Sequence, residues 1–141
     1  MSDRGNKKDL NRRQFIKTSA AVGAAAAAMA PGSMVFAQGS EKIRIALIGC
    51  GGRGRGAIGN NLAACENTEL VAVADAFQHK AEDVAKKYNV PPEKTFWGLD
   101  AYKKAINAGV DMVILTTPPG FRPTHYAAAI EAGKHVFMEK P

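Results

Sequence analysis

The chain has 141 residues, 46% of them apolar and 23% charged, with two cysteines and a formal net charge of +6. That length holds about one domain, the apolar share excludes a mainly disordered chain, and two cysteines exclude both a disulfide scaffold and the usual four-ligand zinc site. The charge does not indicate a nucleic-acid partner, because residues 1–37 net +4 and residues 38–141 only +2.

Residues 1–37 read as an address and not as part of a fold. A basic stretch (Met1 to Lys17) precedes a small, apolar one (Ala20 to Ala30), and Val35-Phe36-Ala37 then offers a signal-peptidase site. The 11 residues from Ala20 to Ala30, stopped by Pro31-Gly32, are too few for a bilayer span, which needs roughly 20. Asn11-Arg12-Arg13-Gln14-Phe15-Ile16-Lys17 resembles a twin-arginine (Tat) motif, with Asn for the usual Ser/Thr and Ile for Leu. The weakly hydrophobic, Ala-rich run also suits that route. The reading is an export signal over 1–37, use of the Tat translocon, and a periplasmic or otherwise exported protein.

From Lys42 onward, strand and helix patterns alternate. Ile43 to Ile48 is an apolar run ending in glycines, and Arg55 to Cys65 sets Ile58, Leu62 and Cys65 on one helical face. Leu70 to Ala74, apolar at every position, predicts a strand covered on both faces. Gln78 to Tyr88 predicts a helix with Ala81, Val84, Ala85 and Tyr88 inward, and Lys94 to Trp97 a short strand. Asp100 to Ala108 is helical up to Gly109, and Met112 to Leu115 is a further buried strand. Pro123 to Ala132 predicts a helix with Tyr126, Ala129 and Ile130 inward, stopped by Gly133, before a last strand over Val136 to Met138. The pattern predicts an α/β fold with a doubly wound, parallel, Rossmann-type sheet over 38–141. The sequence ends directly after its last strand, which reads as a fragment or truncated product.

Gly49-Cys50-Gly51-Gly52-Arg53-Gly54 matches GxGxxG where the first strand turns into a helix, and Asp75 ends the second strand. Gly49 would permit the tight turn, Gly51 the approach of a pyrophosphate, and Gly54 close packing of helix on strand. Asp75 would accept from the adenosine ribose hydroxyls and disfavour a 2′-phosphate, which favours NAD. Arg53, Arg55, His79 and Lys80 could offset that preference, so NADP stays open. Cys50 is expected beneath the loop and Cys65 in the core, neither with a redox role.

Thr116-Thr117-Pro118-Pro119 with His125, and Ala132-Gly133-Lys134-His135-Val136-Phe137-Met138-Glu139-Lys140-Pro141, lie at the carboxyl ends of predicted strands. On these segments and the glycine loop, residues 42–141 resemble the nucleotide-binding domain of the glucose–fructose oxidoreductase / inositol dehydrogenase / rhizopine-catabolism (Gfo/Idh/MocA) family. The Gly-Gly-Arg-Gly loop behind a twin-arginine signal is similar to its exported branches, which include NAD-dependent α-N-acetylgalactosaminidase-like proteins. The resemblance implies an NAD(P)-dependent oxidoreductase acting on a sugar or polyol, homo-oligomeric in its full-length form. Gly49, Gly51, Gly52, Arg53, Gly54, Asp75, Thr117, Pro118, Glu139 and Lys140 would serve the cofactor. Lys140 would also be catalytic, between the nicotinamide and a substrate hydroxyl. His125 either touches the cofactor side or only caps a helix. In that family a following α/β domain completes the pocket. The expectation is therefore that this chain alone binds cofactor without a complete active site. The alternatives are an NAD-dependent glycosidase and a non-catalytic dinucleotide-binding module.

Overall fold

The structure, a computed structural model, describes residues 42–140. The export signal read over 1–37 lies outside them. Five strands, β1 (Ile43–Ile48), β2 (Thr68–Asp75), β3 (Thr95–Trp97), β4 (Met112–Leu115) and β5 (His135–Met138), form one sheet in the order β3-β2-β1-β4-β5. Every pairing is parallel. Helices α1 (Gly52–Ala64), α2 (Gln78–Tyr88), α3 (Ala101–Ile106) and α4 (Arg122–Glu131) connect them, with a 3-10 turn at Pro92–Lys94. This is the Rossmann-type order expected from the alternation of patterns.

The two-residue period of a strand explains why helices cover both faces. In β1, Ile45 and Leu47 point to one side, where Val73 and Ile114 join Ile58 of α1 and Ala81, Val84 and Ala85 of α2. Ala46 and Ile48 point to the other, with Ala72, Ala74, Val113 and Leu115. There they meet Ala101, Tyr102, Ala105 and Ile106 of α3 and Ala129 of α4. The three alanines on that face of β1 and β2 leave room for the larger Tyr102 ring.

Two expectations are corrected. Cys65 is exposed, because α1 begins at Gly52 and ends at Ala64, leaving Cys65 outside its last turn. In α4 the inward residues are His125 and Ala129, while Tyr126 and Ile130 are 44% and 50% exposed. The small side chains set the helix phase, since Ala128, Ala129 and Ala132 let α4 approach the core closely. The last strand of the chain, β5, lies at the edge of the sheet, and its Phe137 and Met138 remain 48% and 45% exposed.

At the amino edge of the sheet, Arg44 donates to Asp111 from its backbone N–H (2.9 Å), Nε (3.1 Å) and Nη2 (2.8 Å). Those hydrogen bonds, side-chain first, hold the Asp111 carboxyl down at about 2. A depressed carboxyl stabilises the fold above its unfolded value near 3.8, and that contribution disappears as pH falls through about 2. Both side chains are over a third exposed, so solvent screening keeps the effect modest. The stability advantage of wild type over Asp111→Asn in urea melts is therefore expected to shrink steadily from pH 5 to pH 2. An advantage that does not change with pH would contradict it.

Candidate cofactor cleft

At the opposite, carboxyl edge, the sheet order leaves a crevice between the loops after β1 and β4, where adjacent strands send their helices to opposite faces. The cleft has a volume of about 760 Å³. Its walls come from the glycine loop, from the residues after β2, and from the segments after β4 and β5.

The glycines of the first loop divide by function. Gly49 has φ +100°, and a Cβ there would sit 2.8 Å from Thr117 N and 2.9 Å from the Thr116 carbonyl carbon. A Cβ on Gly54 would lie 1.9 Å from the Gly49 carbonyl oxygen. Both are dictated by packing of loop, helix and β4. Gly51 and Gly52 are different: a Cβ at either would meet nothing within 4 Å. Folding leaves those two positions open, and both border the cleft. The α1 N-terminus begins there with Gly51 as its cap residue, no capping side chain and no acidic residue in its first turn. Uncapped N–H groups and the positive end of the helix dipole face the open space, which suits an anion such as a pyrophosphate.

Asp75, at the end of β2, lines the cleft and also props the loop. Its Oδ2 accepts from Cys50 N (2.7 Å) and its Oδ1 from Phe77 N (2.9 Å). A carboxylate offers about four acceptor sites, so capacity remains for a ligand hydroxyl. Phe77, 57% exposed, and Leu99, 73% exposed, add apolar surface to the cleft lining. Lys80 Nζ lies 4.6 Å from the Phe77 ring centre. Of the basic residues expected to modulate this end, Lys80 lines the cleft, whereas Arg55 pairs with Asp83 at 3.0 Å and His79 is not in the lining. Cys50 is buried beneath the loop, as expected. Burial, reinforced by the Asp75 charge, pushes its thiol up to about 12, so it stays protonated.

The far end is built from β4 and β5. Thr116 Oγ1 donates to the Gly49 carbonyl at 2.6 Å, tying the β4 loop to the glycine turn. His125 is buried, its Nδ1 and Thr117 Oγ1 share a hydrogen bond of 3.2 Å, and its ring lies 4.2 Å from that of Tyr102. It lines the cleft and holds Thr117 in place; it makes no cap at the helix end. Burial lowers its pKa, which favours the neutral imidazole. Pro118, Glu139 and Lys140 complete this wall. Arg53 reaches from the first turn of α1 to the Glu139 carboxylate, and that contact, chiefly its hydrogen bond, lowers the Glu139 pKa.

The sequence reading missed Arg122. Its Nε donates to the Thr117 carbonyl at 2.6 Å, and its Nη1 donates to the Glu139 carbonyl at 2.7 Å and to the Lys140 carbonyl. One signal was available. A cation in the first turn of a helix opposes the dipole, so Arg122 immediately before Pro123 had to be held by something else.

The anion-ready helix end, the two open glycines, the carboxylate and the adjoining apolar surface together fit a dinucleotide such as NAD. Comparison with known proteins agrees. Residues 43–141 match an oxidoreductase family described by its NAD-binding Rossmann fold, and residues 9–29 match the twin-arginine translocation pathway signal sequence. A scyllo-inositol 2-dehydrogenase (NAD(+)) of Bacillus subtilis is 33% identical over 101 residues, covering 72% of this chain and 28% of that protein. A glycosyl hydrolase family 109 protein of Shewanella sp. (strain ANA-3) is 29% identical over 156 residues, covering 94% of this chain and 34% of that one. Among solved structures, the WlbA dehydrogenase from Bordetella pertussis, in complex with NADH and UDP-GlcNAcA, superposes with a TM-score of 0.61. It is 29% identical, and the match covers 72% of this chain and 29% of that one. The chain thus spans about a third of the length of the curated relatives it matches.

Proposed function

Because the chain belongs to the Gfo/Idh/MocA oxidoreductase family and carries a twin-arginine export signal, we propose that it holds NAD for an exported enzyme oxidising or reducing a sugar or polyol. One observation carries the reading. A single cleft contains two glycines that packing leaves free, the Asp75 carboxylate, and the Glu139-Lys140 pair.

In this reading the α1 N-terminus, Gly51 and Gly52 take the pyrophosphate, and Asp75 accepts from the adenosine ribose, which selects NAD over NADP. Phe77 and Leu99 shield the adenine. Thr117 and Pro118 run along the cofactor, with Thr117 steadied by His125, and Glu139 accepts from the nicotinamide ribose. The bound nicotinamide supplies a hydride acceptor or donor. Lys140, exposed in the cleft lining, would hydrogen-bond the substrate oxygen and balance negative charge that develops on it. Sequence beyond residue 141 would complete the pocket.

A second reading, an NAD-dependent glycosidase, is favoured by one observation. The glycosyl hydrolase family 109 relative aligns with 94% of this chain, against 72% for the inositol dehydrogenase. The complete reading frame that contains this chain separates the two when purified with its NAD. Net NADH formation from a panel of polyols and sugars supports the dehydrogenase. Hydrolysis of an aryl N-acetylgalactosaminide, read as release of the phenol, without net redox change supports the glycosidase. In either case Lys140→Ala is expected to lower turnover about 10²-fold with little change in NAD affinity, as for a group acting in the transition state. Near-normal turnover would remove Lys140 from the chemistry.

A further inference from the structure

We infer that Arg122 is a positioning residue, whose guanidinium fixes the backbone on both sides of Lys140 and so sets where that ammonium stands in the cleft. This inference rests on the assignment of Lys140 to the nicotinamide end.

The parallel ladder between β4 and β5 ends at Leu115 and Met138, with Glu139 N donating to the Leu115 carbonyl at 3.1 Å as its last bond. Beyond it the two chains separate, and the carbonyls of Thr117, Glu139 and Lys140 have no strand to pair with. Arg122 gathers all three. A planar guanidinium presents several N–H groups in a rigid fork, so one side chain can bridge carbonyls from two segments.

The positions of those carbonyls give the contact its consequence. The Glu139 carbonyl belongs to the peptide plane before the Lys140 Cα, and the Lys140 carbonyl to the plane after it. Peptide planes are stiff, and only the two dihedrals at each Cα are soft. Holding both planes from one nitrogen therefore fixes the direction in which the Lys140 side chain leaves the backbone. The Lys140 side chain is exposed and its ammonium has no hydrogen-bond partner among the described residues, so its direction is set through the backbone. The Lys140 N–H also faces the Glu139 carboxylate, which helps to hold the first of the two planes, whereas Arg122 holds both. Glu139 is treated differently, since Arg53 also holds its carboxylate directly. Arg122 occupies the first position of α4, where the helix dipole disfavours a cation. The three carbonyls supply the opposing partial charge that makes the position tolerable.

The test uses NAD oxidised by periodate, which carries a dialdehyde at each ribose and forms lysine adducts that borohydride reduction makes permanent. Peptide mapping of the labelled chain reads both ends of the cleft, Lys80 near Asp75 and Lys140 next to Glu139. Wild type is expected to be labelled at both. Arg122→Gln is expected to lose about tenfold or more of the Lys140 label, in line with the steep cost of small misplacements, and to keep the Lys80 label. Arg122→Lys, which retains charge without the fork, is expected to fall between. Full Lys140 labelling in Arg122→Gln would overturn the inference. So would equal loss of both labels, which would mean that Arg122 merely maintains the fold. Wild type labelled at Lys80 alone would instead overturn the assignment of Lys140 itself.

Discussion

Replacing Gly54 with alanine is expected to destabilise the domain by about 3 kcal/mol or more, the upper range for forced overpacking. The new Cβ would lie 1.9 Å from the Gly49 carbonyl oxygen and 2.8 Å from Thr116 Oγ1. Neither can retreat. Gly49 is pinned by its N–H to the Ala74 carbonyl at 2.8 Å, and Thr116 Oγ1 already donates to that same Gly49 oxygen. The remaining relief is for α1 to lift from β1, which would expose Ile58, now fully buried. Against a total stability of about 5–15 kcal/mol for a small domain, that loss is severe. Gly56 serves as the control on the same helix. A Cβ there meets nothing within 4 Å, so Gly56→Ala is expected to gain about 0.5–1 kcal/mol from helix propensity. Urea midpoints of the two variants should therefore move in opposite directions. A Gly54→Ala midpoint equal to wild type would contradict the close packing of helix on strand.

Where large apolar side chains carry the burial, the fold could be read from the residues. Ile43–Ile48, Met112–Leu115 and Gln78–Tyr88 form elements with the predicted bounds. Met112–Leu115 is a continuous apolar run, Ile43–Ile48 is apolar except for Arg44 at its amino end, and the helix has one clear inward stripe. Legibility failed where small residues decide. In α4 the bulky Tyr126 and Ile130 suggested one helical phase, but the alanines and the His125–Tyr102 contact set another. Periodicity gives most weight to large side chains and therefore misplaces a helix that packs through its smallest ones.

The candidate site divides in the same way. Its glycines and Asp75 were readable because the loop's geometry demands particular residue types at fixed spacing. Arg122 was not, because its partners are backbone carbonyls, which every residue carries and no sequence pattern marks. The Arg53–Glu139 pair joins residues 86 positions apart, a contact that only the sheet order creates. Within the glycine motif, the sequence already set Gly54, expected to pack helix on strand, apart from Gly51, expected to admit a ligand. In the structure a Cβ at Gly54 meets the Gly49 carbonyl while Gly51 and Gly52 stay open.

That separation supplies the most direct test of the cleft as a dinucleotide site, namely calorimetric titration of wild type and Gly51→Val with NAD. Gly51 has φ −71° and ψ −173°, an extended conformation that valine adopts readily, and its Cβ direction is empty. The substitution should cost the unliganded fold no more than about 1 kcal/mol, through the weaker cap. The valine side chain would instead occupy the space above the α1 N-terminus where the pyrophosphate is placed. Wild type is expected to bind NAD at a single site, and Gly51→Val to bind about 10²-fold more weakly, a loss of about 2.7 kcal/mol. The unfolding midpoint should stay close to that of wild type. Equal NAD affinity in the two proteins would contradict the placement of the cofactor in this cleft.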